Sequence, residues 1–263
     1  MQLTTSGVKL WGIGVGPGAS DLITLRALDL AKKTPVLAIP QSNAWTPSLA
    51  WKIIAPHLPE ESEQIRLRLT FPMTKDPEIL KPAWEKACQQ IGEHLIAGRS
   101  VAFITQGDPM IYSTFHYLAD EVRRRWPEVG IESVPAVSSI SAAPGCVGIP
   151  LADGQERIAV IPATYGVDDL RQILRMFDSI VLMKVSSQID TILAAIRAEG
   201  LLDKAYYIER ATTTQQKIVW DLETLEQDRC IYFSMIIVTK KDRSGILQGR
   251  HTQTETSTQG ATV

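Results

Sequence analysis

Short apolar runs alternate with helical patterns along most of this chain, and the alternation constrains its fold more than any other feature. The runs include KLWGIGV (9–15), VLAIP (36–40) and SVAFIT (100–105), and ERIAVIP (156–162) begins a second series. Between the runs, apolar residues recur at every third or fourth position, which is the spacing of one helix face. Strands separated by helices in this way predict an α/β architecture.

The stretch VPAVSSISAAPGCVGIP (134–150), rich in proline, serine, glycine and alanine, separates the two series. We therefore expect an N-terminal α/β domain over residues 1–136 and a C-terminal α/β domain over 137–243. Residues 244–263 are rich in Ser, Thr, Gln and Gly and contain few apolar side chains. Such a segment buries too little surface to fold, so we expect a disordered tail.

Local patterns predict the ends and buried faces of several elements. The segment 20–33 is expected to be one helix capped by Ser20 or Asp21, with an apolar stripe of Leu22, Leu25, Leu28 and Ala31. Two further helices are expected to bury Trp84, Cys88, Ile91 and Leu95, and Phe115, Leu118 and Val122. The segment CIYFSMIIVT (230–239) predicts a strand along its whole length.

The composition restricts the possible function classes. Hydrophobic residues make up 44% of the 263 residues and charged residues 21%, with a formal net charge of −2. This balance is typical of a soluble globular protein and gives no general affinity for nucleic acid or an anionic membrane. Cys88, Cys146 and Cys230 lie far apart with no CxxC pair, so we expect free thiols and no zinc site. Without a recognisable signal peptide or spanning segment, we expect a cytoplasmic protein.

A glycine-rich turn, GVGPGA (14–19), follows the first strand and precedes a helix. It matches the dinucleotide fingerprint G-x-G-x-x-[G/A], but the next strand, VLAIPQSN (36–43), has no acidic residue to hold a ribose. Pro17 also removes a backbone N–H where a phosphate would need a donor. The turn is therefore expected to admit a ligand other than a pyrophosphate, and a turn that is merely tight remains the alternative.

Two more turns follow strands in the same half. Gly107, Asp108 and Pro109 come directly after SVAFIT, and the small residues of VPAVSSISAAPG (134–145) come after another strand. Ligands of open parallel sheets bind at the carboxyl ends of the strands. We therefore expect the Gly14–Gly18 and Gly107–Pro109 turns to lie on one rim of the sheet, and the hydroxyl-bearing stretch 134–145 is a third candidate ligand contact.

In these turns the chain resembles the S-adenosylmethionine-dependent tetrapyrrole methylases of cobalamin and siroheme biosynthesis, from about Lys9 to Lys241. The resemblance rests on GIGVGPGASDLITLRA (12–27), TQGDPMIYST (105–114), VPAVSSISAAPGCVGIPL (134–151), VLMKV (181–185) and IERATTTQQKIV (208–219). Within the family, GDPMIYSTFHYL with LMKV is most similar to the precorrin-2 C(20)-methyltransferases. The siroheme branch has a second glycine before GDP, which is absent here.

The resemblance implies two α/β domains with the active-site cleft between them, a homodimer, and no protein-bound metal. It implies methyl transfer from S-adenosylmethionine to carbon 20 of precorrin-2, which gives precorrin-3A in cobalamin biosynthesis. Carried over by position, the cofactor contacts are Pro17, Gly107, Asp108, Ile111, Ser113, Thr114, Ser138, Ser139, Met183 and Ala211. Substrate contacts are expected at Gly16, His116, Lys184 and Arg210. No catalytic acid or base is identified.

The chain departs from the family pattern at two points. The family's PGVSS is PAVSS here, so Ala136 stands where a glycine is usual, and the family's Asp-Pro after GPG is Ala19-Ser20, which leaves Asp21 to cap. Further cations that could meet substrate carboxylates are Arg26, Arg66 and Arg68. The run 123–125, near a helix C-terminus, is expected to be structural.

Several functions remain open from the residues. Within the family, the substrate could be the cobalt-loaded ring or uroporphyrinogen III. From other classes, the glycine fingerprint would suit a nucleotide-dependent oxidoreductase, and the fold would suit a binding module without turnover.

Overall fold

The computed structural model describes residues 7–43, 45, 48–72, 74 and 76–241. The chain divides into two compact units, Met1–Ser139 and Ile140–Val263. The tail expected over 244–263 lies outside the described residues, and the domain limits expected from the sequence stay a prediction.

The first unit is a parallel sheet of five strands in the order β3-β2-β4-β1-β5. The strands are β1 (Lys9–Gly14), β2 (Val36–Gln41), β3 (Ile65–Thr70), β4 (Val101–Thr105) and β5 (Gly130–Val134). The helices are α1 (Leu25–Lys33), α2 (Leu49–Ile54), α3 (Pro77–Ile96) and α4 (Phe115–Arg125), with short 3₁₀ turns at Ser20–Leu22 and Ala55–His57. Because every strand is parallel, the carboxyl ends of all five lie at one edge.

Helices cover both faces of this sheet. Phe103 of β4 packs on one face against α3 and α4, and Ile104 packs on the other against α1 and α2. The predicted stripes of α3 and α4 are confirmed: Cys88, Ile91, Leu95, Phe115, Leu118 and Val122 are buried, and Trp84 packs against them. The central strand β4 is therefore apolar on both sides, as parallel strands between helices require.

The prediction for residues 20–33 was wrong at its beginning. A 3₁₀ turn occupies Ser20–Leu22, and α1 begins only at Leu25. The cap is Thr24, whose extended backbone lets its hydroxyl accept from the Ala27 N–H, so neither Ser20 nor Asp21 caps this helix. The later start turns Ala27 and Ala31 inward and leaves Leu25 87% exposed.

The second unit is a mixed sheet in the order β6-β7-β10-β8-β9. Its strands are β6 (Ile158–Pro162), β7 (Ser179–Met183), β8 (Ala205–Glu209), β9 (Lys217–Val219) and β10 (Ser234–Thr239). Its helices are α5 (Ser139–Val147), α6 (Val167–Met176) and α7 (Ile189–Ala198), with 3₁₀ turns at Val185–Gln188, Leu202–Lys204, Leu222–Thr224 and Gln227–Arg229. β10 runs antiparallel to β7 and β8, and β9 antiparallel to β8. The ends of β7 and β8 therefore share an edge with the starts of β9 and β10.

Two segments of the second unit differ from expectation. The small-residue stretch 134–150 contains the helix α5, because Ala143 and Val147 bury their side chains against Val181 and Ile237. The strand expected over 230–239 begins only at Ser234. Its first four residues form a loop, so the aromatic side chains there are exposed instead of joining the sheet.

Within the described ranges, no helix is both long and apolar enough to cross a membrane.

A three-residue ion cluster joins α6 to the end of α7. Glu199 accepts from Arg171 Nε at 2.7 Å and from Arg175 Nε and Nη2, both at 2.8 Å. The hydrogen bonds from Arg175, and then from Arg171, lower the pKa of the Glu199 carboxyl to about 2. Because the carboxyl binds its proton more weakly in the folded chain, the cluster stabilises the fold above the unfolded pKa of about 4.3.

We expect Glu199→Gln to lower the urea midpoint at pH 7, since glutamine keeps the shape but removes the charge that both arginines meet. In the wild type this stabilisation should be lost as the pH falls from about 4 towards 2, and the variant should lose less there. Urea titrations at pH 7, 4 and 3 measure both effects. The exposed Glu128→Gln serves as the control, and an identical pH slope in wild type and Glu199→Gln would contradict the expectation.

Candidate functional site

The first two glycine turns are joined by their backbones at the carboxyl edge of the first sheet. The Gly107 N–H donates to the Gly16 carbonyl at 2.8 Å, and the Val15 N–H donates to the Thr105 carbonyl at 2.9 Å. Gln106 Nε2 also donates to the Pro17 carbonyl at 3.0 Å. The structure thus brings together two turns that lie some ninety residues apart in the sequence.

Gly14 is the position where all three turns meet. A Cβ there would lie 2.5 Å from Ala136 Cβ, 2.6 Å from the Gly107 carbonyl oxygen and 2.9 Å from Pro109 Cδ. Real Cβ atoms do not approach other atoms so closely, so only glycine fits without a backbone shift. Ala136 keeps an ordinary φ, since it is absent from the positive-φ residues of the described chain. Alanine therefore suits this turn without backbone strain.

Asp108 ties the second turn to the third. Its Oδ1 accepts from the Met110 N–H at 2.8 Å, and its Oδ2 accepts from the Ala136 N–H at 2.9 Å. Each carboxylate oxygen therefore serves a different backbone donor. The Asp108 carboxylate therefore holds the second and third turns together. This is a structural role for a residue that was expected to contact the cofactor.

The loop after GDP carries four of the expected site residues in different settings. Ile111 and Thr114 are exposed, and His116 is half-buried with its ring 3.9 Å from that of Tyr117. Ser113 is buried: its hydroxyl lies 3.1 Å from Thr105 Oγ1 and accepts from the Phe115 N–H at 3.1 Å. The Ser113 hydroxyl thus braces the start of α4.

Open space surrounds the Gly107 backbone. Gly107 has a φ of +69°, and a Cβ there would meet no heavy atom within 4 Å. Its neighbours Gly16 and Pro17 are buried, and the half-buried Ser138 and Ser139 carry the hydroxyls of the third turn. A small ligand can therefore approach the peptide at Gly107 from the open side.

The site residues expected in the second unit gather at one edge of its sheet. Met183 ends β7 and Ala211 follows β8, and both pack in one apolar cluster with Met235. Lys184 Nζ lies 6.0 Å from the centre of the Tyr232 ring, and the Arg210 N–H donates to the Phe233 carbonyl at 2.9 Å. The loop before β10 thus lies near the Lys184 ammonium and is hydrogen-bonded to the backbone of Arg210.

Backbone strain concentrates in these same loops. Among the described residues, four that are not glycine have a positive φ: Tyr112, Lys184, Arg210 and Thr212. Such conformations cost free energy and persist where the surroundings enforce them, commonly at functional sites. All four follow a strand that ends at a candidate rim.

Sequence reasoning missed Tyr232, Phe233 and Gln106. The two aromatic residues were assigned to a strand interior, although the polar Ser234 that follows them could have indicated the true strand start. Gln106 lies beside the expected glycine turn, but its bond to Pro17 depends on a contact distant in sequence.

A buried polar pair lies at the end of β8, directly before Arg210 in the chain. The Tyr207 hydroxyl donates to Glu209 Oε1 at 2.7 Å, and both side chains are buried. Burial, with bonds to Cys230 and Glu209, raises the pKa of Tyr207 above its usual range, so the phenol stays protonated and donates. Burial likewise raises the pKa of the Cys230 thiol.

Two of the other candidate cations, Arg26 and Arg66, have internal partners. Arg26 pairs with Glu132, and Arg66 stacks on Trp51 and donates to the Pro59 carbonyl at 2.8 Å. Arg123 pairs with Asp120, while Arg124 and Arg125 pair with Glu121, as the structural interpretation expected. No group of three or more metal-binding side chains is found in the part of the chain that the structure describes.

The model of the Tetrapyrrole (Corrin/Porphyrin) Methylases matches residues 9–226, so this chain belongs to that family. The cobalt-precorrin-2 C(20)-methyltransferase of Salmonella typhimurium is 34% identical over 234 residues, which cover 89% of this chain and 97% of that protein. Cobalamin biosynthesis protein CobIJ of Mycobacterium tuberculosis is 32% identical over 248 residues, or 91% of this chain. The chain spans only 47% of the length of CobIJ.

Solved structures share the fold at lower identity. Cobalt precorrin-4 methyltransferase CbiF aligns with a TM-score of 0.71 and 22% identity, over 91% of this chain and 98% of that one. Uroporphyrin-III C-methyl transferase from Thermus thermophilus, complexed with S-adenosyl homocysteine, aligns with a TM-score of 0.63 and 20% identity, over 88% and 97% of the two chains. The expected α/β tetrapyrrole methylase fold is confirmed.

We expect Asp108→Asn to destabilise the fold by about 1–3 kcal/mol, because an amide can accept only one of the two backbone N–H bonds and leaves the other donor unpaired. Urea unfolding at pH 7 measures the loss. Asp221→Asn is the matched control, since the Asp221 carboxylate accepts from the Glu223 N–H, a bond that an asparagine can keep. Equal, small effects of both variants would contradict the bridging role of Asp108.

Proposed function

We propose that this chain transfers a methyl group from S-adenosylmethionine to carbon 20 of precorrin-2 and yields precorrin-3A in cobalamin biosynthesis. The observation that carries the proposal is the convergence of the GPG, GDP and PAVSS turns on Gly14, in a chain of the tetrapyrrole methylase family. The similarity to the cobalt-precorrin-2 C(20)-methyltransferase of Salmonella typhimurium, over 89% of this chain, supports the position of methylation.

The edge of the first sheet that carries the GPG, GDP and PAVSS turns, here called the first rim, suits the proposed cofactor. The space beside Gly107 lets a ligand reach a peptide edge that is fixed by the Gly16 bond. S-adenosylmethionine supplies a methyl group already activated on a sulfonium centre. Its proposed contacts are Pro17, Gly107, Asp108, Ile111, Ser113, Thr114, Ser138, Ser139, Met183 and Ala211. For Asp108 and Ser113, whose oxygens already accept backbone bonds, we propose that the contact is made by the neighbouring backbone.

The task of the protein in this chemistry is mainly positioning. Methyl transfer is an in-line displacement whose thioether leaving group needs no proton, so the chain must align donor and acceptor carbons and exclude water. Asp108 holds the rim through two backbone bonds, and this use supports an orienting role rather than that of a general base. The fixed backbone of the rim suits such a task because it loses little freedom on binding.

The substrate carries many carboxylates. The edge of the second sheet where β7 and β8 end, here called the second rim, offers cations to them. Lys184 and Arg210 follow β7 and β8 at the same edge and are the proposed carboxylate contacts. Gly16 and His116 of the first unit are proposed as further substrate contacts. The names of relatives also favour a second candidate substrate, the cobalt-loaded ring, with the metal arriving inside the substrate.

A dinucleotide-dependent oxidoreductase is disfavoured. β2 ends at Gln41, a buried amide, where that fold places an acid for the ribose. We further propose a cytoplasmic homodimer without a protein-bound metal and without nucleic-acid or membrane partners. The net charge of −2 supports the last part, because neither polyanion is attracted to it in general.

The direct test is anaerobic incubation of the purified protein with S-adenosylmethionine and fresh precorrin-2, with and without inserted cobalt, followed by mass spectrometry and NMR. We expect a gain of one methyl group at carbon 20, and the preferred ring form identifies the substrate. Cofactor binding without methylation of either ring would redirect the proposal to another acceptor, such as uroporphyrinogen III. Absence of cofactor binding would refute it.

We expect Lys184→Asn and Arg210→Asn each to raise the KM for the tetrapyrrole about tenfold, the loss of one charge-assisted contact. Asparagine tolerates the left-handed backbone of both positions, so the cationic group is removed without added backbone strain. Steady-state kinetics with each substrate varied in turn measures the effect. Lys204→Asn, at the opposite edge before β8, is the control. A raised KM for S-adenosylmethionine with an unchanged tetrapyrrole KM would contradict the assignment.

A further inference from the structure

Two neighbouring aromatic side chains project from the loop before β10. Tyr232 is 45% exposed and Phe233 is 44% exposed, with ring centres 5.2 Å apart and planes at 84°. We call these two residues the aromatic ledge. The ledge directly precedes the first residue of β10. Because β10 runs antiparallel to β7 and β8, the ledge lies at the sheet edge where β7 and β8 end.

The ledge lies between the two cations of that edge. The Lys184 ammonium is 6.0 Å from the centre of the Tyr232 ring. On the other side, the Arg210 N–H donates to the Phe233 carbonyl, and the Arg210 guanidinium reaches Gln215 Oε1 at 3.0 Å. In the order of the sheet, the start of β10 therefore lies between Lys184, which follows β7, and Arg210, which follows β8.

The surrounding backbone holds the ledge in place. Ser234 Oγ donates to the Ile231 carbonyl, which closes the loop directly before β10. Lys184 and Arg210 both have left-handed backbones, and the buried Tyr207–Glu209 bond precedes Arg210 at the end of β8. A chain that holds strained backbone beside two exposed aromatic rings has kept a costly arrangement, which is typical of a binding surface.

We infer that the aromatic ledge is the apolar face against which one pyrrole ring of the tetrapyrrole packs, while Lys184 and Arg210 bind the carboxylates beside that ring. The inference rests on the proposed function and adds Tyr232 and Phe233 to it as residues that determine substrate specificity. The occupant that this edge fits is a conjugated ring system with acidic groups at its rim. Ring faces pack on aromatic side chains, and carboxylates pair with the flanking cations.

The cofactor contacts proposed at Met183 and Ala211 belong to the apolar cluster of this edge, and charge decides which ligand meets the neighbouring Lys184 and Arg210. S-adenosylmethionine carries a sulfonium and an ammonium, which two nearby cations repel, and it has only one carboxylate. The tetrapyrrole carries several carboxylates and no fixed positive charge at its rim. The pair of cations therefore favours the tetrapyrrole on the ledge.

The test is equilibrium dialysis of sirohydrochlorin, the oxidised form of precorrin-2, under anaerobic conditions, together with calorimetry of S-adenosylmethionine binding. We expect Tyr232→Ala and Phe233→Ala each to weaken sirohydrochlorin binding about tenfold and to leave cofactor affinity unchanged. Tyr232→Phe should bind like the wild type, since it keeps the ring. Trp220→Ala is the matched control, because Trp220 follows β9 at the opposite edge of the same sheet.

The outcomes separate the ledge from the function on which it rests. Wild type that binds sirohydrochlorin, with both alanine variants equal to it, overturns the ledge alone. Weakened cofactor affinity in the variants, with ring binding retained, also overturns it and assigns the ledge to the cofactor. Wild type that binds the cofactor but no tetrapyrrole ring refutes the proposed function and, with it, the ledge. Circular dichroism and urea unfolding of each variant exclude misfolding as the cause of a loss.

Discussion

The backbone bond between Gly16 and Gly107 is the interaction on which the first rim depends. It joins the turn after β1 to the turn after β4, and those two strands pair in the middle of the sheet. The bond requires the two chains to approach closely, and Gly14 permits the approach because no Cβ intervenes between it and Ala136 or Pro109. Asp108 then extends the connection to the third turn. The rim is thus held by main-chain groups, which have few alternative conformations once the sheet has formed.

This construction explains how the charged residue of the GDP motif is used. A carboxylate at a ligand-binding edge suggests a general base or an ion-pair partner when it is considered alone. Here both oxygens of Asp108 accept backbone N–H groups from its own turn and from the neighbouring turn. The result agrees with a reaction that needs alignment more than proton transfer, because a rigid rim reduces the entropy lost when the reacting groups are brought together.

The second unit differs from the first because its sheet edge carries charged and aromatic side chains. Lys184 and Arg210 have strained, left-handed backbones there. The protonated Tyr207 and the carboxylate of Glu209 satisfy each other at the end of β8. A buried carboxylate without that donor would leave a costly charge in an apolar layer. The pair therefore allows a polar edge to be built on an apolar sheet.

The sequence by itself determined the α/β class, the burial of the α3 and α4 stripes and the common edge of the glycine turns. Each depends on local periodicity or on the rule that parallel strands end at one edge, so short segments contain the required information. Tertiary structure decided that Thr24 caps α1, that Asp108 accepts the backbone N–H of Ala136, and that a loop exposes Tyr232 and Phe233. Those features depend on contacts between residues distant in the chain, such as Ala136 with Asp108 and Arg210 with Phe233. Periodicity within one segment carries no information about such partners, because the partner is chosen only when the sheet brings both strands to the same edge.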